Sequence, residues 1–321
     1  MLTKSTSGVD LIKLDFLTPG SPFPGDPLPE DSSRSVEFYR HAISRHAPHI
    51  RLDISWKLDR NEPYWTRWQS NADSLRLDFD VNLQGANRLT AWRVIQRAIE
   101  AYRVFVVEQT TDPARRGHGI RIRPDMDNTF IANPQELSGI NDDQRRTMAV
   151  HWIGAGANLM TGGDLLHIDE LGRKLLGDVG LTGIADLTSQ WPMQPRNPDS
   201  GGNAARQLQA WIAGPTDDLD GTREAVVLIT NLGPDEGEGG FGSRIHGFQR
   251  VRVTLNVLGL DVLASKGRWT AQLILGTSDH TNETVFHLTD DGFNEIVGPG
   301  QSMLYRLWWQ PNPETKMWRW F

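Results

Sequence analysis

The sequence predicts an α/β half followed by an all-β half. Two observations carry this. In the first half, short extended runs alternate with helical patterns, the signature of βα units. Beyond about Trp191 come Pro192, Pro195, Pro198, Gly201 and Gly202. Strand-like runs then follow one another without intervening helices, at the spacing of an antiparallel β-sandwich. The expected organisation is a βα domain over 1–190, a linker over 191–204 and a β-sandwich over 205–321.

Taken in order, Leu11 to Phe16 reads as a strand and Thr18 to Pro29 as a Pro/Gly-rich loop. Ser32 to Arg45 follows as a helix opened by Asp31 or Ser32. His49 to Trp56 reads as the second strand, and Asp73 to Val81 as a strand end with its loop. Trp92, Ile95, Ile99, Tyr102 and Val106 recur at helical spacing, so Leu89 to Val107 is an amphipathic helix. Ile120 to Arg123 is a short strand stopped by Pro124, Asp142 to Gly154 a helix, Asn158 to Thr161 a strand and Ile168 to Leu176 a last helix. The strands of the second half are Gln209–Ala213, Ala225–Asn231, Gln249–Leu255, Thr270–Leu275, Thr284–Leu288 and Ser302–Trp308.

Composition removes several function classes. A net charge of -7 argues against a nucleic-acid partner, because reading a phosphate backbone needs a basic face. No apolar run approaches the roughly 18 residues of a membrane span. Without cysteines there are no disulfides and no thiolate metal sites. The histidines form no H-x-x-x-H pair, so no metal site is expected. Gly237 to Gly242 has the letters of a phosphate loop, but it leads into a strand and is flanked by Asp235, Glu236 and Glu238, so it reads as a hairpin loop. Asp125-Met126-Asp127 and Asp217-Asp218-Leu219-Asp220 lack the remaining ligands of a calcium loop and read as acidic turns. No cofactor is implied. Twelve tryptophans suit either a core or stacking on sugar rings. The tail Met317 to Phe321 carries the same two readings.

Two carboxylates stand out. Asp15 closes an apolar extended run, and Asp73 ends Trp68 to Asp73 beside Tyr64 and Trp65. Strand ends are where an α/β barrel does its chemistry. Two carboxylates, one ionised and one protonated, cleave a glycosidic bond. Alternation puts Lys13 and Asp15 on one strand face, and an adjacent ammonium favours the ionised form a nucleophile needs. The aromatic wall beside Asp73 favours the protonated form of a general acid. Taken singly, Asp15 reads rather as a surface ion pair at a strand end and Asp73 as a helix cap or loop aspartate.

Four segments in order change the balance. Gly8 to Asp15 resembles the fourth-strand nucleophile segment of glycoside hydrolase family 27, the α-galactosidase family. Trp68 to Asp73 resembles its acid/base segment, a tryptophan five residues ahead of an aspartate. Pro124-Asp125-Met126 resembles its Pro-Asp-Met segment, and His151 to Leu165 its final strand. The resemblance implies a partial (β/α)8 barrel, strands four to eight, followed by a C-terminal antiparallel sandwich. It implies a retaining exo-α-glycosidase acting on a carbohydrate, with Asp15 as nucleophile and Asp73 as acid/base. Lys13 and Asp125 would hold sugar hydroxyls, and Trp56 would line the pocket.

The sequence also departs from the family pattern. Lys57 stands where a glutamate or small residue would face the sugar's second carbon, and Gln69 replaces an arginine. Lysine donates but cannot accept, and a neutral amide replaces a charged fork. Both changes bear on the glycone and admit a β-L-arabinopyranoside. About 190 residues precede the sandwich, whereas a barrel typically takes about 250. Three βα units are therefore expected to be missing, and with them part of the pocket. An inactive sugar-binding remnant is the alternative reading, and a domain with no ligand a third. Family relatives are usually exported, although the N-terminus shows no apolar leader.

Overall fold

A computed structural model of the chain describes residues 8–21, 27–55, 57–83, 85–111, 120, 122–196, 206–216, 223–260, 267–276 and 285–311. Trp56, the acidic turn 217–220, the tail from 317 and most of the expected linker lie outside them. The chain forms two compact units, Met1–Asp80 with Glu108–Asp127, and Val81–Val107 with Asn128–Phe321. The expected domain boundaries follow the change of element type. The packing divides the chain along a different line.

The first unit is built on a parallel sheet in the order β1 (Leu11–Leu14), β2 (Arg51–Ile54), β3 (Ser74–Arg76), β4 (Arg123–Asp125). The ladders align Lys13 with Asp53, Asp53 with Ser74, Ser74 with Arg123, and Arg76 with Asp125. Because side chains alternate along a strand, the sheet has two unlike faces. One carries Leu52, Ile54, Leu75 and Leu77, all buried. Helix α1 (Arg34–His46) contributes buried Val36 and Ile43 to this unit's core. The other face carries Lys13, Asp15, Asp53, Ser74, Arg76 and Asp125. Helix α2 (Tyr64–Asn71) joins β2 to β3 and buries Trp65 and Trp68. The indole N–H of Trp68 donates to the Asp59 carbonyl at 2.8 Å.

Pro124 does not stop a strand but lies inside β4, paired with Leu75. β4 is an edge of this sheet, where a missing N–H leaves no ladder bond unmade.

In the second unit, helix α3 (Trp92–Thr111) supplies most of its length. It is followed by α4 (Gln135–Ser138), α5 (Asp142–Gly154), α6 (Glu170–Gly177) and α7 (Val179–Gln190). Helix α5 begins in a capping box between Asn141 and Gln144, which fixes its N-terminal end, and both its ends coincide with the sequence expectation. The expected strand at Asn158–Thr161 is reduced to one parallel bridge between Thr129 and Thr161. Helix α7 was not expected. Its Gly180, Thr182 and Gly183 weaken the helical signal, and the Asp178 side chain caps it through the Leu181 N–H at 3.0 Å.

The rest of this unit is antiparallel. Six strands run in the order β10 (Val285–His287), β9 (Gly267–Leu275), β12 (Gln301–Pro311), β7 (Glu224–Asn231), β6 (Leu208–Ala213), β5 (Gln194–Pro195). β11 (Phe293–Val297) pairs with β8 (Gln249–Val253). Ile229, Val253, Trp269, Phe293 and Tyr305 share one buried cluster. β5 falls within the expected linker, and Met193 just before it is buried, its carbonyl accepting from the Tyr102 hydroxyl at 2.5 Å. β11 was missed because its pattern of two buried ends around Asn294-Glu295-Ile296 is short and mostly polar.

Candidate active site

Parallel strands end together, so the sheet of the first unit has one C-terminal rim. Asp15 follows β1 there, Asp80 lies beyond β3, and Asp125 closes β4. Among the described residues of this unit, three non-glycine residues have positive φ: Phe16 at 53°, Lys57 at 57° and Asp127 at 68°. Each follows within three residues of a strand's C-terminal end. Left-handed backbone at non-glycine residues concentrates where geometry is constrained by function.

The turn after β1 also meets the turn after β2. Gly20 sits at φ 117°, and a Cβ there would lie 2.3 Å from the Lys57 carbonyl oxygen. The Asp59 N–H donates to the Pro19 carbonyl at 3.0 Å. Glycine is required by both the φ and the close approach.

Below the rim, Lys13 is the hub. Its Nζ is 2.9 Å from Asp125 Oδ2 and 3.5 Å from Asp53 Oδ2, and both carboxylates are fully buried. Burial alone would lower the lysine, but Asp125 and Asp53 outweigh it and raise its pKa, so the ammonium is kept. Asp125 Oδ1 accepts the Asp127 N–H at 2.8 Å, and Asp53 Oδ1 accepts the Ser74 hydroxyl at 2.6 Å. Arg76 Nη2 bridges Asp127 at 2.5 Å and Asp80 at 2.9 Å. Asp15 is exposed, and its Oδ1 accepts the Phe16 N–H at 3.0 Å. Lys57 lies at the rim with its Nζ 5.1 Å from the centre of the Phe79 ring.

Asp73 is not part of this arrangement. The Trp68 segment that precedes it is helical, not extended, and Asp73 stands before β3 rather than after it. Its N–H donates to the Leu52 carbonyl at 2.8 Å, so it lies level with Leu52 and Ile12. Asp15 is three residues further along and two strands away, about 10 Å in each direction. Asp73 also points to the opposite face, where its carboxylate is 2.5 Å from Arg40 of α1 and accepts the Leu52 N–H at 2.7 Å. Its position is that of a structural ion pair joining helix to sheet. Gln69 likewise lies on α2, with its amide 3.5 Å from Gln109, away from Lys13 and Asp125.

The residues that sequence reasoning missed are Asp53, Arg76 and Asp80. Ser74-Leu75-Arg76-Leu77 alternates polar and apolar, which marks a strand and puts the rim carboxylate after it, in Asp78-Phe79-Asp80. In the second unit, Asp235 accepts the N–H groups of Gly237, Gly239, Phe241 and Gly242 at 2.7 to 3.0 Å. That loop turns its amides onto its own carboxylate, which accounts for its glycines without a phosphate.

No family model matches the chain. Alpha-galactosidase 3 of Hypocrea jecorina is 50% identical over 263 residues, covering 82% of this chain and 40% of that protein. A relative from Emericella nidulans is 41% identical over 252 residues, covering 78% of this chain and 50% of its own length. The chain thus spans half or less of these relatives. Among solved structures, the β-L-arabinopyranosidase of Geobacillus stearothermophilus aligns with a TM-score of 0.62 at 18% identity, over 94% of this chain and 58% of that one. An α-galactosidase of Saccharomyces cerevisiae aligns with a TM-score of 0.62 at 12% identity, over 95% and 73%.

The fold is therefore one shared with solved glycoside hydrolases. In sequence the chain is similar to part of two proteins named as α-galactosidases.

Proposed function

We propose that this chain carries the catalytic half of a retaining exo-α-glycosidase acting on terminal α-galactosides, with Asp15 as nucleophile and Asp80 as acid/base. The observation that carries this reading is the gathering of Asp15, Lys13, Asp125, Arg76 and Asp80 on one face and one end of a parallel sheet. Chemistry on such sheets belongs at that end. The four parallel strands of the first unit correspond to barrel strands four to seven, and the antiparallel sheets of the second to the C-terminal sandwich.

Asp15 attacks the anomeric carbon while Asp80 gives its proton to the leaving oxygen, forming a glycosyl ester on Asp15. Asp80, now ionised, takes a proton from water, and the hydroxide oxygen displaces Asp15 with a second inversion. Oδ2 of Asp15 has no protein donor among the described residues, which leaves it open for attack. Arg76 anchors Asp80 through Nη2. Lys13 holds a sugar hydroxyl, and Asp125 acts through it. Lys57 and Phe79 line the side where the glycone's ring substituents vary, which keeps a β-L-arabinopyranoside as the second substrate to try.

A panel of nitrophenyl glycosides tests the reading. Chromophore release from the α-galactoside that is abolished in Asp15→Asn and Asp80→Asn, yet kept in Asp73→Asn, supports it. Sugar binding without turnover in the unaltered chain would favour the sugar-binding alternative.

A further inference from the structure

The buried face holds more negative charge than Lys13 can answer. Asp53 and Asp125 are both fully buried and share this one ammonium. Arg76 is committed to Asp127 and Asp80, and Ser74 supplies a neutral hydroxyl. Asp15 adds a further carboxylate on the same face. Asp53 Oδ2 is buried and receives no hydrogen bond, and its carboxyl lies within hydrogen-bonding reach of Asp125. A buried carboxylate oxygen without a donor is costly, whereas a buried carboxylic acid uses that oxygen to donate.

We propose that Asp53 is a protonated positioning residue that donates a hydrogen bond to Asp125, so that Asp53, Asp125 and Lys13 form a neutral unit that sets the Lys13 ammonium at the rim. The charges then sum to zero, with one carboxylate, one ammonium and one neutral acid. Burial and the adjacent Asp125 raise the Asp53 pKa to about 7, against the opposing pull of Ser74 and Lys13. Ionisation leaves a surplus buried charge and draws Lys13 inward between two carboxylates. That its displacement matters to a sugar rests on the glycosidase reading above. The shared proton does not.

Carboxyl ¹³C NMR of aspartate-labelled protein, titrated from pH 4 to 9, tests the proposal. One carboxyl should titrate near pH 7 and vanish in Asp53→Asn. Ser74→Ala should move its midpoint up and Asp125→Asn should move it down. Carboxyls that have all ionised by pH 5.5, or a late titration that survives Asp53→Asn, would overturn it. Galactose affinity measured over the same range should fall above pH 7 in the unaltered chain and stay level in Asp53→Asn. An equal fall in both would remove the positioning role. A chain that binds no galactose at any pH contradicts the glycosidase reading, and the carboxyl titration then decides the shared proton by itself.

Discussion

Arg76 Nη2 lies 2.9 Å from Asp80, four residues further along the chain. The arginine is nearly buried and the aspartate is almost half exposed at the rim. The same nitrogen holds Asp127 at 2.5 Å, with both side chains under 10% exposed. One guanidinium thus ties the loop after β3 to the loop after β4, and the carboxylate it presents is the one that the proposed chemistry needs.

Arg76→Ala removes the guanidinium that holds the buried Asp127 carboxylate. Removing one member of a buried pair costs about 3–5 kcal/mol. Urea unfolding should show a loss of that size, and Asp80→Asn, at a half-exposed pair, under about 1 kcal/mol. Equal losses in the two would mean that the buried bridge is not what stabilises the loops.

Asp73→Asn separates structure from chemistry. It weakens the ion pair to Arg40, whose aspartate is over a third exposed, so the stability loss should stay near about 1 kcal/mol. Glycoside turnover per folded molecule should be unchanged. A drop of the roughly 10²–10⁴-fold expected of a general acid would return that role to Asp73.

His151 is buried in α5 with its Nδ1 2.8 Å from the Thr147 carbonyl, and burial pushes its pKa down to about 4. The unfolded chain takes up this proton near pH 6.5, so the unfolded state binds more protons between the two values. Stability contributed by neutral His151 is present above about pH 6.5 and is lost as pH falls toward 4. Thermal unfolding should show this slope, and it should flatten in His151→Phe. An unchanged slope would place the acid sensitivity elsewhere. Asp53 acts in the opposite sense, since its folded pKa is raised. Its stabilising effect is present below about pH 4 and falls away as pH rises through 7.

Gly20→Ala should destabilise the first unit by about 1–3 kcal/mol, because a methyl group would collide with backbone at Lys57 and Asp59. A neutral outcome in chemical denaturation would show that the two rim turns do not meet as described.

The legible parts of this sequence were those set by local rules. The apolar stripe of α3 fixed a helix, and Leu11 to Asp15 announced both its strand and its rim carboxylate. Asp73 stands apart from the other candidate groups for a reason of direction. A tryptophan five residues before an aspartate says nothing about which end of a strand the aspartate occupies, and the helix through Trp68 put Asp73 at the N-terminal one. The alternation Ser74-Leu75-Arg76-Leu77 marks the strand whose far end leads to Asp80. Asp53 and its proton could not be read at all, because the partnership of Lys13 with Asp53 and Asp125 exists only once three strands are in register.

Covalent trapping tests the central claim most directly. A fluorinated galactosyl fluoride, chosen to form the glycosyl ester quickly and lose it slowly, should add one sugar mass to the peptide containing Asp15, and none in Asp15→Asn. Turnover of the trapped ester should slow further in Asp80→Asn and not in Asp73→Asn. A sugar found on any other carboxylate, or an ester whose release depends on Asp73 and ignores Asp80, would contradict the account.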